Sequence, residues 1–279
     1  MEVVMPELLT VEGGTLAYEL TGDAGPLVVL AHGIGDSREA YRFMAPLLAG
    51  AGYRVAAVDL RGCGESSVDW SSFSRTDIAG DLVALVKHLG GPAVLVGHSI
   101  SGGAATIAAA DAPELVTAVV ELAPFTRAQS IGDLRVTRYR RGTLRLLGTA
   151  LFGSTRLWKE YLDLAYPGPK PADWEERLAR IEASLRQPGR MKALRKMGLT
   201  SPADAGARLG DVRCPVLVVE GALDPDWVSP QAEGEAVVAA LPAGLGRLEV
   251  IPGAGHYPHV QFPEQVVALT LAFLGEVSA

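Results

Sequence analysis

The stretch Ala93-Val94-Leu95-Val96-Gly97-His98-Ser99-Ile100-Ser101-Gly102-Gly103 decides how this sequence is read. Four apolar residues run into Gly97, a serine follows two residues later, and a small-residue helical pattern opens at Ile100. An apolar run of this length suits a strand covered on both faces of a sheet. A serine on the sharp turn between such a strand and a helix lifts its hydroxyl above the sheet edge. Small residues two positions away keep the strained backbone free of clashes. The same turn sets the Ile100 amide at a helix N-terminus, aimed at any oxyanion formed beside Ser99. Gly-x-Ser recurs at Gly35-Asp36-Ser37 and Gly64-Glu65-Ser66, but both follow loops after strands and lack the direct strand–serine–helix setting. A serine that only caps the helix is the plain alternative for Ser99.

Outward from this turn, residues 27–31, 55–59 and 116–122 repeat the apolar strand pattern. Crossover helices fit over 37–51, 77–89 and 100–110, with Ser37 and Asp77 as N-caps. Upstream, 8–11 and 16–20 flank Glu12-Gly13-Gly14-Thr15 and read as an antiparallel hairpin. After Pro124 the rhythm breaks. Up to about Ala205 the chain is Arg-rich and helical, interrupted by Pro167-Gly168-Pro169-Lys170-Pro171 and Pro188-Gly189. That segment is too long for a loop and predicts a helical cap. The rhythm resumes with a strand at 215–220, a helix at 231–241, a strand at 247–251 and a closing helix at 263–274. The expected fold is α/β: about eight strands in a mostly parallel sheet flanked by helices. The core is 1–124 and 206–279, and the cap 125–205 enters after the sixth strand.

Composition narrows the function. The chain has 279 residues, 48% of them hydrophobic, at a net charge of −7, which excludes disorder as its main state and provides for an ample core. The acidic balance argues against a nucleic-acid surface. No apolar run reaches the ~18–20 residues of a membrane span, and residues 1–10 carry acids where a secretory leader has bases, so a cytoplasmic protein is expected. Cys63 and Cys214 are too few for a disulfide framework and read as small buried residues. The charge is uneven. Residues 125–205 hold 12 Arg and 4 Lys against 8 acids, a surplus of eight positive charges that leaves −15 for the rest.

A nucleophilic serine needs a base, and the base an orienting acid. Of the five histidines, His88 lies in a helical stretch, His98 is turned away from its neighbour Ser99, and His32 reads as a structural turn residue. His256 and His259 remain, in the loop after the last strand; His256, directly after Gly253-Ala254-Gly255, is the better base. For the acid, Asp224 stands just past a strand end, with Asp226 and the remoter Glu121 as alternatives. The turn His32-Gly33-Ile34-Gly35 offers the Ile34 amide as a second oxyanion donor beside that of Ile100.

In chain order Ser99…Asp224…His256, with Asp59-Leu60-Arg61-Gly62-Cys63-Gly64-Glu65-Ser66 between the His32-Gly33 turn and Ser99, the sequence resembles the α/β-hydrolase fold family, specifically its lidded serine esterase-like branch. The resemblance covers nearly the whole chain. It implies Ser99 as nucleophile, His256 as base, Asp224 as acid and the Ile34 and Ile100 amides as the oxyanion hole, with no metal and no organic cofactor. The expected reaction is cleavage of a small-molecule carboxylic ester, thioester or lactone through an acyl-enzyme. Carbon–carbon bond hydrolysis or perhydrolysis with the same triad is one alternative, and a ligand-sensing protein with slow turnover is another. Two features depart from the pattern or narrow it. Ser101 stands where the family usually has glycine, and the nucleophile is Ser and not Asp, which counts against epoxide hydrolase and haloalkane dehalogenase chemistry. In the cap, Leu144, Leu146, Leu147, Leu151, Phe152, Leu157 and Trp158 are candidates for an apolar pocket. Arg135, Arg138, Arg140 and Arg141 are candidate contacts for an anionic substrate, or a solvated basic face.

Overall fold

The computed structural model describes residues 5–128 and 131–277. The hairpin comes first, β1 (Glu7–Val11) and β2 (Gly14–Thr21), followed by β3 (Leu27–Ala31), α1 (Met44–Gly50) and β4 (Arg54–Val58). Then come α2 (Arg75–His88), β5 (Ala93–His98), α3 (Ile100–Asp111) and β6 (Val116–Leu122). Five helices follow: α4 (Thr137–Phe152), α5 (Thr155–Ala165), α6 (Trp174–Leu185), α7 (Arg190–Gly198) and α8 (Ala203–Gly206). The chain closes with β7 (Val216–Gly221), α9 (Pro230–Ala240), β8 (Gly246–Ile251), α10 (Pro258–Gln261) and α11 (Pro263–Val277).

The eight strands form one sheet in the order β1-β2-β4-β3-β5-β6-β7-β8. β1 and β2 pair antiparallel, as do β2 and β4, and every later pairing is parallel. The apolar runs alternate between the faces: Ala93 and Leu95 of β5 enter the core under α2 and α3, while Val94 and Val96 pack on the α1 and α11 side. Both faces are covered, which is why these strands read as continuous apolar runs. The crossover from β3 leads to one side, to β4, and the next returns past β3 to β5 on the other. Chain direction therefore splits between β3 and β5, and a crevice opens at their carboxyl ends.

Two local expectations change. The helix expected over 37–51 is a single 3₁₀ turn, Arg38–Tyr41, followed by the short α1; Ser37 is extended and makes no capping bond. The cap of α2 is Ser74, not Asp77. Its Oγ accepts the Asp77 amide, and the Asp77 carboxylate accepts the Ser74 amide in return, so Asp77 is the third-position partner of a capping box. Both cysteines are buried and unpaired, and burial pushes their thiols up, Cys63 to about 12 and Cys214 to about 11. Between β6 and β7 the described residues contain no strand. No helix among them is long and apolar enough to cross a membrane.

Candidate active site

Ser99 closes β5 and caps α3 with φ 55° and ψ −116°, a conformation side chains rarely adopt and one that costs on the order of 1–3 kcal/mol. The surrounding backbone holds it there. The Ser99 amide donates to the Leu122 carbonyl at 3.0 Å, and its own carbonyl accepts from the Gly102 and Phe125 amides, each at 3.0 Å. The turn is tight enough to require its glycines. A Cβ on Gly97 would stand 2.2 Å from the Ser101 carbonyl oxygen, and one on Gly102 would stand 2.7 Å from Pro124. Ser101, the departure from the family pattern, has a use: its Oγ donates to the His32 carbonyl at 2.6 Å and ties the elbow to the turn after β3.

That turn is fixed from the other side by His32. Its Nε2 accepts the Leu60 amide at 3.0 Å, so the proton sits on Nδ1, which donates to the Gly33 carbonyl at 2.7 Å. Burial lowers the pKa of His32 and keeps it neutral, as this bonding needs. A Cβ on Gly33 would stand 3.1 Å from the Ser99 Cβ, so the turn lies directly against the elbow. The Ile34 and Ile100 amides donate to no backbone carbonyl among the described residues.

The acid loop after β7 and the histidine loop after β8 touch along their backbones. Leu223 donates to the Ala254 carbonyl at 2.8 Å, and a Cβ on Gly221 would stand 2.0 Å from the Gly255 carbonyl oxygen. Their contact brings His256 Nδ1 to 2.7 Å from Asp224 Oδ2, both side chains buried. Asp226 is the second carboxylate: its Oδ2 lies 3.4 Å from His256 Nδ1 and accepts the Tyr161 hydroxyl at 2.6 Å, while its amide donates to Asp224 Oδ1. Burial alone would lower the His256 pKa, but Asp224 and Asp226 outweigh it and raise it to about 9. Burial, reinforced by Asp224, lifts Asp226 to about 7 against the pull of His256.

The alternatives fall elsewhere. His259 is buried, stacked on Tyr41, and bonds no acid; burial lowers it to about 3. Glu121 is turned to the hydroxyls of Thr106 and Thr126. His98 has a part that the sequence did not reveal. Its Nε2 donates to the His256 carbonyl at 2.7 Å, so the residue before Ser99 steadies the loop of the candidate base. The helical insertion adds a second tether, because the His256 amide donates to the Ala165 carbonyl at the end of α5. Neither tether has a signal in sequence spacing, since both run through backbone carbonyls.

Ser99 and His256 share the wall of a cavity of about 470 Å³, roofed by the insertion through residues such as Leu146, Trp158 and Tyr161. The α4 residues that face it are Tyr139, Thr143, Leu146, Leu147, Thr149 and Ala150, one helical face. Leu144, Leu151 and Phe152 lie on the outward side. The same periodicity removes the expected arginine contacts, because none of Arg135, Arg138, Arg140 and Arg141 lines the cavity. Arg135 is 92% exposed and pairs with Asp133, Arg138 donates to the Trp227 carbonyl, and Arg140 and Arg141 are exposed. Asp224, Asp226 and His256 are grouped closely enough to offer a metal three ligand atoms, but the Asp224 contact to His256 Nδ1 and the Tyr161 bond to Asp226 already occupy them.

Comparison with known proteins agrees with this frame. The chain is 28% identical over 255 residues to 2-(acetamidomethylene)succinate hydrolase of Mesorhizobium japonicum, covering 86% of this chain and 85% of that protein. It is 36% identical over 148 residues to epoxide hydrolase B of Mycobacterium tuberculosis, covering 52% of this chain and 38% of that one. A thermophilic esterase from Thermogutta terrifontis, solved with malate bound, superposes with a TM-score of 0.76 at 26% identity, over 99% of both chains. The profile of the alpha/beta hydrolase family matches residues 28–269. This chain belongs to the alpha/beta hydrolase family.

Proposed function

We propose that this hydrolase cleaves a carboxylic ester, thioester or lactone through an acyl-enzyme on Ser99. One observation carries the reading: a serine held at positive φ shares a cavity wall with a histidine whose far ring nitrogen is bonded to a buried aspartate. In this reading His256 takes the Ser99 proton as Oγ attacks the carbonyl, and Asp224 fixes the imidazole and stabilises the imidazolium. The Ile34 and Ile100 amides hold the tetrahedral oxyanion. His256 then protonates the leaving group, and water releases the acyl group by the reverse route. His256 and Ser99 make no direct hydrogen bond, and catalytic contacts of this kind commonly tighten only when substrate binds.

Residues 125–205 act as a cap on a core of 1–124 and 206–279, and their cavity-facing stripe selects the substrate. The serine hydroxyl speaks against the epoxide-opening chemistry named for one relative, because the nucleophile of this reading is Ser99 and not a carboxylate. The test is a p-nitrophenyl ester series from acetate to decanoate. Turnover should peak at one acyl length, set by the cavity, and disappear in Ser99→Ala. Wild type as inert as Ser99→Ala across the series would remove the esterase reading, and attack on a diketone would then point to carbon–carbon hydrolysis.

A further inference from the structure

Arg75, second residue of the α2 capping turn, is 3% exposed and lines the same cavity as Ser99. Its Nε donates to the Phe125 carbonyl at 2.9 Å and its Nη1 to Thr200 Oγ1 at 3.1 Å. These are neutral acceptors. Among the described residues no carboxylate lies within ion-pair distance; Asp204 pulls on it only from farther away, and Nη2 makes no hydrogen bond to a described group. A buried guanidinium without an anion is costly, and burial lowers the Arg75 pKa to about 10. The neighbouring sequence makes room for it: a Cβ on Gly103 would stand 2.9 Å from Arg75 Cδ. Gly103 is four residues past Ser99, one turn of α3 or roughly 6 Å along its axis. The other arginine on the cavity, Arg127, is already paired with Glu233 at 3.1 Å.

We propose that Arg75 is the anion-binding residue of the cavity, and that the substrate carries a carboxylate a few bonds from the scissile carbonyl. This rests on the hydrolytic reading above and names its substrate class. The guanidinium fork has donors left for a carboxylate, and the placement over the first turn of α3 sets the span between anion and reacting carbon. The anionic substrate expected from the arginine-rich sequence of the cap is thus received by an arginine of the core.

The experiment compares two matched pairs: p-nitrophenyl hydrogen adipate against p-nitrophenyl hexanoate, with the charge on the acyl side, and p-acetoxybenzoate against p-tolyl acetate, with the charge on the alcohol side. Wild type should favour the anion in one pair, which assigns the side. Arg75→Gln should cut that kcat/KM ratio about 10- to 100-fold, the worth of a charge-assisted hydrogen bond. The ratio is taken within each protein, so a general loss of fold cancels. Arg75→Lys, which keeps the charge without the fork, should fall between and serves if the glutamine variant does not fold. No anion preference in either pair, or a preference that survives both substitutions, overturns the proposal. If wild type hydrolyses none of the four esters, the catalytic reading fails separately, and calorimetry with adipate decides the site. Binding by wild type and by Ser99→Ala but not by Arg75→Gln supports it, and no binding overturns it.

Discussion

Ser99 pays for its place on the cavity wall with strained backbone, and the residues around it carry the cost. Ser101 is one of them: Ser101→Ala leaves the buried His32 carbonyl without that donor and should lower stability by about 1–3 kcal/mol in chemical denaturation. An unchanged midpoint would mean the elbow does not depend on that bond. Asp226 acts on the base instead. His256 must be neutral to accept a proton, and both aspartates favour its charged form. Removing the Asp226 charge therefore lowers the His256 pKa, so the acid limb of kcat/KM in Asp226→Asn should move to lower pH. Asp224→Asn removes the closer partner and should cost far more, on the order of 10⁴-fold in kcat, by analogy with the same change in a serine protease triad. Sequence favours Asp224 and keeps Asp226 as its alternative. They stand two positions apart after the same strand, and the 2.7 Å against 3.4 Å that distinguishes them is set by the loop after β8.

At the scale of elements, the strands were legible because burial on both faces leaves runs such as 93–97 almost purely apolar. Helix boundaries were less so. Asp77 has the chemistry of a cap, and only the reciprocal bonding with Ser74 shows that the helix starts earlier. Ser74→Ala should destabilise by about 1 kcal/mol. Asp77→Ala should cost a similar amount, and the double change less than the sum, because the box is one unit. The insertion is locked to the core by Arg177 of α6, buried against Asp36 and Glu39 in the segment after β3. Against the pull of burial, Arg177 holds the Asp36 carboxyl below the usual range. Arg177→Ala strands that charge and should cost about 3–5 kcal/mol in unfolding experiments. Because Asp36 is two residues past Ile34, turnover should fall with it. The cavity stripe on α4 could have been read by helical period. The four arginines drew attention by their density, and the period places them off that stripe.

For the molecule as a whole, the strand order puts every candidate group at one edge. Ile34 follows β3, Ser99 follows β5, Asp224 follows β7 and His256 follows β8, all at carboxyl ends, with Ile34 and Ser99 flanking the split between β3 and β5. This much follows from the alternation of strands and helices, which is why Ser99, His256 and the order of the elements could be read from sequence. The tethers from His98 and Ala165 could not, because they depend on how distant loops meet. The uneven charge is met only in part between β6 and β7, where Arg145 and Arg156 share Glu160, and Lys159 and Arg186 share Glu182; Arg127, Arg177 and Arg180 turn instead to Glu233, Asp36 and Glu39 of the acidic remainder. The central claim is an acyl group on Ser99. Rapid quench of the protein with p-nitrophenyl acetate, followed by peptide mass spectrometry, tests it most directly. One acetyl group is expected on the peptide carrying Ser99, absent in Ser99→Ala and forming far more slowly in Asp224→Asn. Turnover with no adduct on that peptide, or equal labelling of Ser99→Ala, would contradict it.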